Sequence, residues 1–100
     1  TVPMTARKLN YYANEFEELG MPDRALECYL WALRLDGNSY QINANTAYFY
    51  KQQGRKVEAL RYFQTALLLL EKQKDSLEER RYTNSKEWIE EEIGELEGGE

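Results

Sequence analysis

Residues 9–35 and 43–69 are one piece of sequence written twice, 34 residues apart, and that duplication constrains the fold more than any other feature. Gly20 returns as Gly54, Ala25 as Ala59, Leu26 as Leu60, Ala32 as Ala66, Leu33 as Leu67 and Leu35 as Leu69. Ala13 pairs with Ala47, Phe16 with Tyr50 and Tyr29 with Phe63. These positions are apolar or small and fall three, four or seven residues apart, which is helical spacing. A glycine near the middle of each unit marks a stop between two helices. Each unit therefore reads as helix, tight turn, helix.

The residue types have a physical reason. Alanine at positions 13, 25, 32, 47, 59 and 66 lets helix axes approach closely, and Phe16, Tyr29, Tyr50 and Phe63 fill the gaps that remain. One such hairpin cannot bury its apolar face alone, so units stack and each covers the next. The pattern resembles the tetratricopeptide repeat, a 34-residue helix–turn–helix unit. Leu9, Tyr12, Ala13 and Phe16 meet the family's first-helix pattern, and Asn43, Thr46, Ala47 and Tyr50 meet it less fully. The second-helix pattern is complete twice, as Ala25, Tyr29, Ala32 and as Ala59, Phe63, Ala66. The resemblance covers about 70 of the 100 residues. It departs at the proline that often closes a unit, where Gly37 and Glu71 stand.

The expected architecture is all-α: a single domain forming a short right-handed α-solenoid of two helix–turn–helix repeats and a long capping helix. Repeat one spans 5–38, repeat two 39–72 and the capping helix 75–96. Thr5 is placed to cap the first helix after a loose arm at 1–4, and Pro22 suits the first position of the second. Asn38 or Ser39 caps the third. Beyond Lys72 the repeat fails, because the 34-residue step from Gly54 lands on Trp88. Ser76 and Glu79 read as a capping box, and Leu77, Tyr82, Trp88, Ile89, Ile93 and Leu96 form a broken apolar stripe. That helix is expected to seal the end of repeat two, with Trp88 buried, and to fray at residues 98–100.

Composition excludes several function classes. No apolar stretch of about 20 residues is present, so no membrane span is expected. The chain has no histidine and one cysteine, Cys28, which leaves no usual zinc site, no internal disulfide and no cofactor motif. Residues 1–70 carry eight basic and seven acidic side chains, whereas 71–100 carry five and eleven. That acidic end argues against nucleic acid and anionic lipid as partners. The chain begins Thr1-Val2-Pro3, as a processed protein or a piece of a longer one would. With no targeting segment visible, a cytoplasmic location is the expectation.

In a stack of this kind the first helix of each unit lines a concave groove. Stepping by 34 residues gives one column of Asn14, Tyr48 and Tyr82, a second of Asn10, Ala44 and Glu78, and a third of Arg7, Gln41 and Asp75. Tyr11, Asn45 and Glu79 fall at the edge. Tyrosines offer aromatic area at small entropic cost, and amides pair with a peptide backbone. The plainer alternative is a set of solvated polar residues with tyrosines leaning on the core.

One group within the tetratricopeptide family clamps the terminal carboxylate of chaperone tails with lysine, arginine and asparagine. The resemblance places Asn14 and Asn45 at that group's asparagines, but Asn10, Asp75 and Glu79 at its cations. A protein or peptide partner other than an acidic C-terminal tail is therefore expected.

Leu68 and Leu70 replace the Arg34 and Asp36 of the first unit. Either the fifth helix covers them or they form a contact between chains, which would make a homodimer. Cys28 lacks an activating neighbour and is expected to be inert. Glu90-Glu91-Glu92 is expected to be a solvated face, because consecutive helical residues diverge. Arg55-Lys56 lacks the glycine-rich cradle of a phosphate loop. A binding module or adaptor is the leading expectation, a self-assembling structural unit the second, and an enzyme the third and weakest, since no nucleophile stands beside a base.

Overall fold

The structure is a computed structural model that describes residues 3–98. Five α-helices follow in order: α1 Ala6–Glu18, α2 Pro22–Leu35, α3 Tyr40–Gln52, α4 Lys56–Lys72 and α5 Glu79–Gly98, with a 3-10 turn at Lys74–Ser76 between the last two. The residues at 1–2 and 99–100, which carry part of the expected loose arm and of the frayed end, lie outside the described range.

Local chemistry sets each boundary. The Thr5 hydroxyl accepts the Lys8 N–H at 3.1 Å and opens α1, and the Ser39 hydroxyl accepts the Ile42 N–H at 3.1 Å and opens α3. Pro22 begins α2, where its missing N–H costs nothing. The two internal turns close identically. Gly20 and Gly54 take left-handed φ values of 72° and 76°. Behind them Met21 N–H reaches Phe16 C=O, and Arg55 N–H reaches Tyr50 C=O, both at 2.9 Å. Gly20 and Gly54 themselves donate to Glu17 and Lys51. This doubled bond is the Schellman arrangement, in which glycine meets no Cβ penalty.

Helices α1 and α2 pack as one hairpin and α3 and α4 as the next, with α2 against α3 and α4 against α5. The six repeat alanines are fully buried, as are Tyr29 and Phe63, so the close-approach positions perform as expected. Tyr29 meets the ring of Phe49 across the unit boundary at 5.7 Å. Two polar residues at apolar register positions are buried and satisfied by backbone. Asn43 donates to Gly37 C=O at 3.1 Å and Ser39 C=O at 2.9 Å, and Thr46 donates to Ile42 C=O at 2.8 Å. Asn43, standing where unit one has Leu9, thereby pins the turn between units.

The C-terminal region corrects several expectations. No single helix runs from residue 75. The chain turns through Lys74–Ser76, where the Ser76 hydroxyl donates back to Gln73 C=O at 2.9 Å instead of capping a helix. Leu77 is extended at φ −111°, ψ 150°, and α5 starts only at Glu79. The cause is α4, which has 17 residues against 14 in α2 and delays the reversal. The Gln73 amide then fastens the turn to Asn38 C=O at 2.9 Å.

Trp88 does not seal the end, being 36% exposed; Tyr82, Ile89 and Leu96, spaced by seven residues, face inward in its place. The Leu68–Leu70 pair is split as well. Leu70 is fully buried in the main core and closed to any second chain, whereas Leu68 is 67% exposed. Two positions apart on a helix point to nearly opposite sides. Glu92 also departs from the solvated face assigned to it: it is 7% exposed and pairs with the Lys51 ammonium at 2.5 Å, with Glu95 at 2.8 Å completing the tie between α3 and α5. Among the described residues, no helix is long and apolar enough to cross a membrane.

Candidate functional site

Helices α1, α3 and α5 form the walls of an open trough. Its larger hollow, of about 670 Å³, is bounded by Arg7 and Asn10 of α1, Gln41 and Asn45 of α3, and Arg81 and Ser85 of α5. A second hollow of about 530 Å³ follows, between Tyr11 and Asn14, Tyr48, and Trp88. Asn45 and Trp88 belong to both hollows, which makes the trough continuous. Each volume lies in the range of ligand-holding clefts.

The polar groups along the floor are held in place. Asn45 donates to the Asn10 carbonyl oxygen at 3.2 Å, bridging the two units. Tyr29, buried in the core, donates to the Asn14 side-chain oxygen at 2.8 Å and also to Glu17. Burial first, then the bond to Glu17 and its charge, push the Tyr29 hydroxyl well above the ordinary phenol range, so it stays a donor. The remaining amide N–H groups of Asn10 and Asn14, and the Asn45 carbonyl, have no partner among the described residues. Over this floor the Tyr48 and Trp88 rings lie 6.1 Å apart at 45°, with Trp88 resting edge-on against Phe63 at 5.7 Å.

Six of the seven residues expected in the groove line it: Arg7, Asn10, Asn14, Gln41, Asn45 and Tyr48. Tyr82 does not. It is 8% exposed, its hydroxyl donates to Glu71 of α4, and the Lys74 and Lys86 ammonium groups lie 5.2 and 5.7 Å from its ring centre. Asp75, Glu78 and Glu79 are absent from the lining as well. The reason is register. Gln41 is matched by Arg81, Asn45 by Ser85 and Tyr48 by Trp88, a step of 40 residues and not 34. The longer α4 and the 3-10 turn take up the difference. An acidic wall was expected and a guanidinium stands there. Sequence reading had one signal available, since the 34-residue step broke at Trp88 and the apolar run at 66–70 lengthened α4.

The charges are divided along the trough. Arg7 and Arg81 flank the first hollow, with Asp36 the carboxylate beside them, whereas Glu15, Glu17 and Glu18 border the second. Outside the trough, Cys28 is half-buried, and burial followed by the nearby Glu27 raises its thiol, which keeps it protonated.

No family model matches the chain, and no curated protein matches it. Among solved structures, the second TPR of Spaghetti (RPAP3), bound to the HSP90 peptide SRMEEVD, is similar. Its TM-score is 0.63 and its identity 24%, over 94% of this chain and 82% of that one. The likeness shows the fold: five helices in a tetratricopeptide-type helical-repeat arrangement, with no strand among the described residues.

Proposed function

We propose that the chain is a protein-interaction module, an adaptor that holds an extended segment of a partner protein in the trough between α1, α3 and α5. The observation that carries this reading is the line of unpaired amide groups at Asn10, Asn14 and Asn45, pre-set by Tyr29 and by each other, beneath exposed Tyr48 and Trp88. Amides fixed at both hollows can pair with a peptide backbone, and two rings with open faces supply area without costly ordering. The structural neighbour holds a peptide, which supports the class of partner. No reaction is proposed, because the lining residues include no histidine or cysteine and Ser85 has no base beside it.

The charge of the partner is revised from the sequence expectation. The case against an acidic tail required Asp75 and Glu79 in the groove. With Arg7 and Arg81 there instead, the first hollow suits a carboxylate of the bound segment. The seven-residue peptide SRMEEVD is therefore a suitable first probe. In a Trp31→Phe background, Trp88 is the sole indole, and its emission should shift saturably on titration. Arg81→Glu should weaken the response at least about tenfold, the effect of reversing one charge in a charge-assisted pair. A chain that captures neither this peptide nor any member of a random displayed library has no peptide groove.

Self-association through helix α4 is not carried further. Leu70 is closed off in the core, and Leu68 stands alone.

A further inference from the structure

We infer that the second hollow is a subsite for a basic side chain, lysine or arginine, of the segment in the trough; the inference rests on the reading of the trough as a peptide groove. Tyr11, Glu15 and Glu18 stand four and three residues apart on α1, which sets them along one helix face. All three border the hollow, and all three are exposed. Opposite them are Tyr48 and Trp88, each more than a third exposed, so aromatic faces and carboxylates share one concave space.

Each alternative occupant meets an obstacle. An aliphatic side chain would cover the rings but draw water off Glu15 and Glu18 with nothing to replace it. An acidic one would meet three carboxylates, since Glu17 also borders the hollow. A cation satisfies both halves: its charge sits over the ring faces, and its N–H groups reach the carboxylates. No lysine or arginine borders this hollow. The nearest cation to the Tyr48 ring is Lys51, 6.0 Å from the ring centre, and it is already committed to Glu92 and Glu95.

The two hollows together then set a direction. The carboxylate-bearing part of the segment lies toward Arg7 and Arg81, and its basic side chain toward Tyr48 and Trp88. A segment laid the other way meets like charges at both ends.

The test pans a random library of displayed 12-residue peptides against the full chain, a Glu15→Gln/Glu18→Gln variant and a Tyr48→Ala/Asn45→Ala variant, with circular dichroism confirming that each folds. Wild type should enrich peptides with a lysine or arginine at one fixed place. The best peptide, synthesised, should lose about tenfold in affinity when that residue becomes norleucine, and a similar factor on the glutamine variant. Making both changes should cost little more than one, because the same contact is removed. Winners without a basic position, or losses that simply add, overturn the subsite while the groove reading stands, provided Tyr48→Ala/Asn45→Ala abolishes capture. An absence of winners, or winners indifferent to Tyr48→Ala/Asn45→Ala, sinks the groove reading and the subsite with it.

Discussion

Neighbouring side chains in this chain carry opposite duties, and Trp88 and Ile89 are the clearest pair. Ile89 is 1% exposed beneath α5, whereas Trp88 lies on the flank of the same turn with its ring open to the trough. Ile89→Ala should cost ~2–5 kcal/mol of stability by leaving a cavity. Trp88→Ala should cost less in a urea titration and yet remove most peptide binding; equal losses of stability would mean that the indole is a core residue after all. The glycines give a second contrast. A methyl group meets open space at Gly54 and at Gly94 alike, but Gly54 has φ 76° and Gly94 lies within α5. Gly54→Ala should therefore destabilise by ~1–2 kcal/mol, the penalty of a left-handed alanine. Gly94→Ala should stabilise by ~0.5–1 kcal/mol through helix propensity. Thermal melts of the two variants should move in opposite directions.

At the scale of helices, the four repeated ones were legible because each level of the sequence agreed: period, small residues, aromatic partners and a glycine at each bend. The fifth was legible as a helix but not in register. Where α5 begins depends on the extra length of α4 and on the tie from Gln73 to Asn38, a contact between residues 35 apart in sequence that no local pattern announces. That slip removed Tyr82 from the groove and brought in Arg81, Ser85 and Trp88, so one wall of the site was misread while the other two stood. Glu92 was readable in principle, since it lies three residues after Ile89 and four before Leu96 on the inward face.

The docking of α5 also predicts a pH response. The Tyr82 hydroxyl, and then Lys86, hold the Glu71 carboxyl below its ordinary value of 4.5. A lowered native value contributes stability that is complete above 4.5 and fades as pH falls through the native value. The melting temperature of wild type should thus drop below pH 4.5, and Glu71→Gln should remove part of that slope. Lys51 is shifted upward, by its bonds to Glu92 and Glu95, from 10.5. Its contribution is complete below that value and is lost only as pH rises beyond it, so both ties hold at neutral pH.

For the whole molecule, two hairpins are fewer than a repeat stack usually needs, and α5 stands in for the missing third. Truncation after Lys74 would uncover Leu70 and remove both partners of Lys51. The remainder should lose its cooperative melt by circular dichroism, and a sharp transition at an unchanged temperature would contradict the capping role. The divided charge of the trough predicts salt dependence for a segment that bears both signs. Raising salt from low to about 1 M shortens the screening length to about 3 Å, so binding should weaken strongly while the aromatic contribution persists.

The reach of α4 has an implication of its own. Arg81, Ser85 and Trp88 meet the trough only because the chain spends extra residues before turning back, so the stretch at 70–78 works as a ruler. Shortening or lengthening it by about one helical turn would bring a different set of α5 letters to the third wall while leaving α1 and α3 as they are. The taste of such a binder could therefore drift through small insertions and deletions in a linker that never meets the ligand.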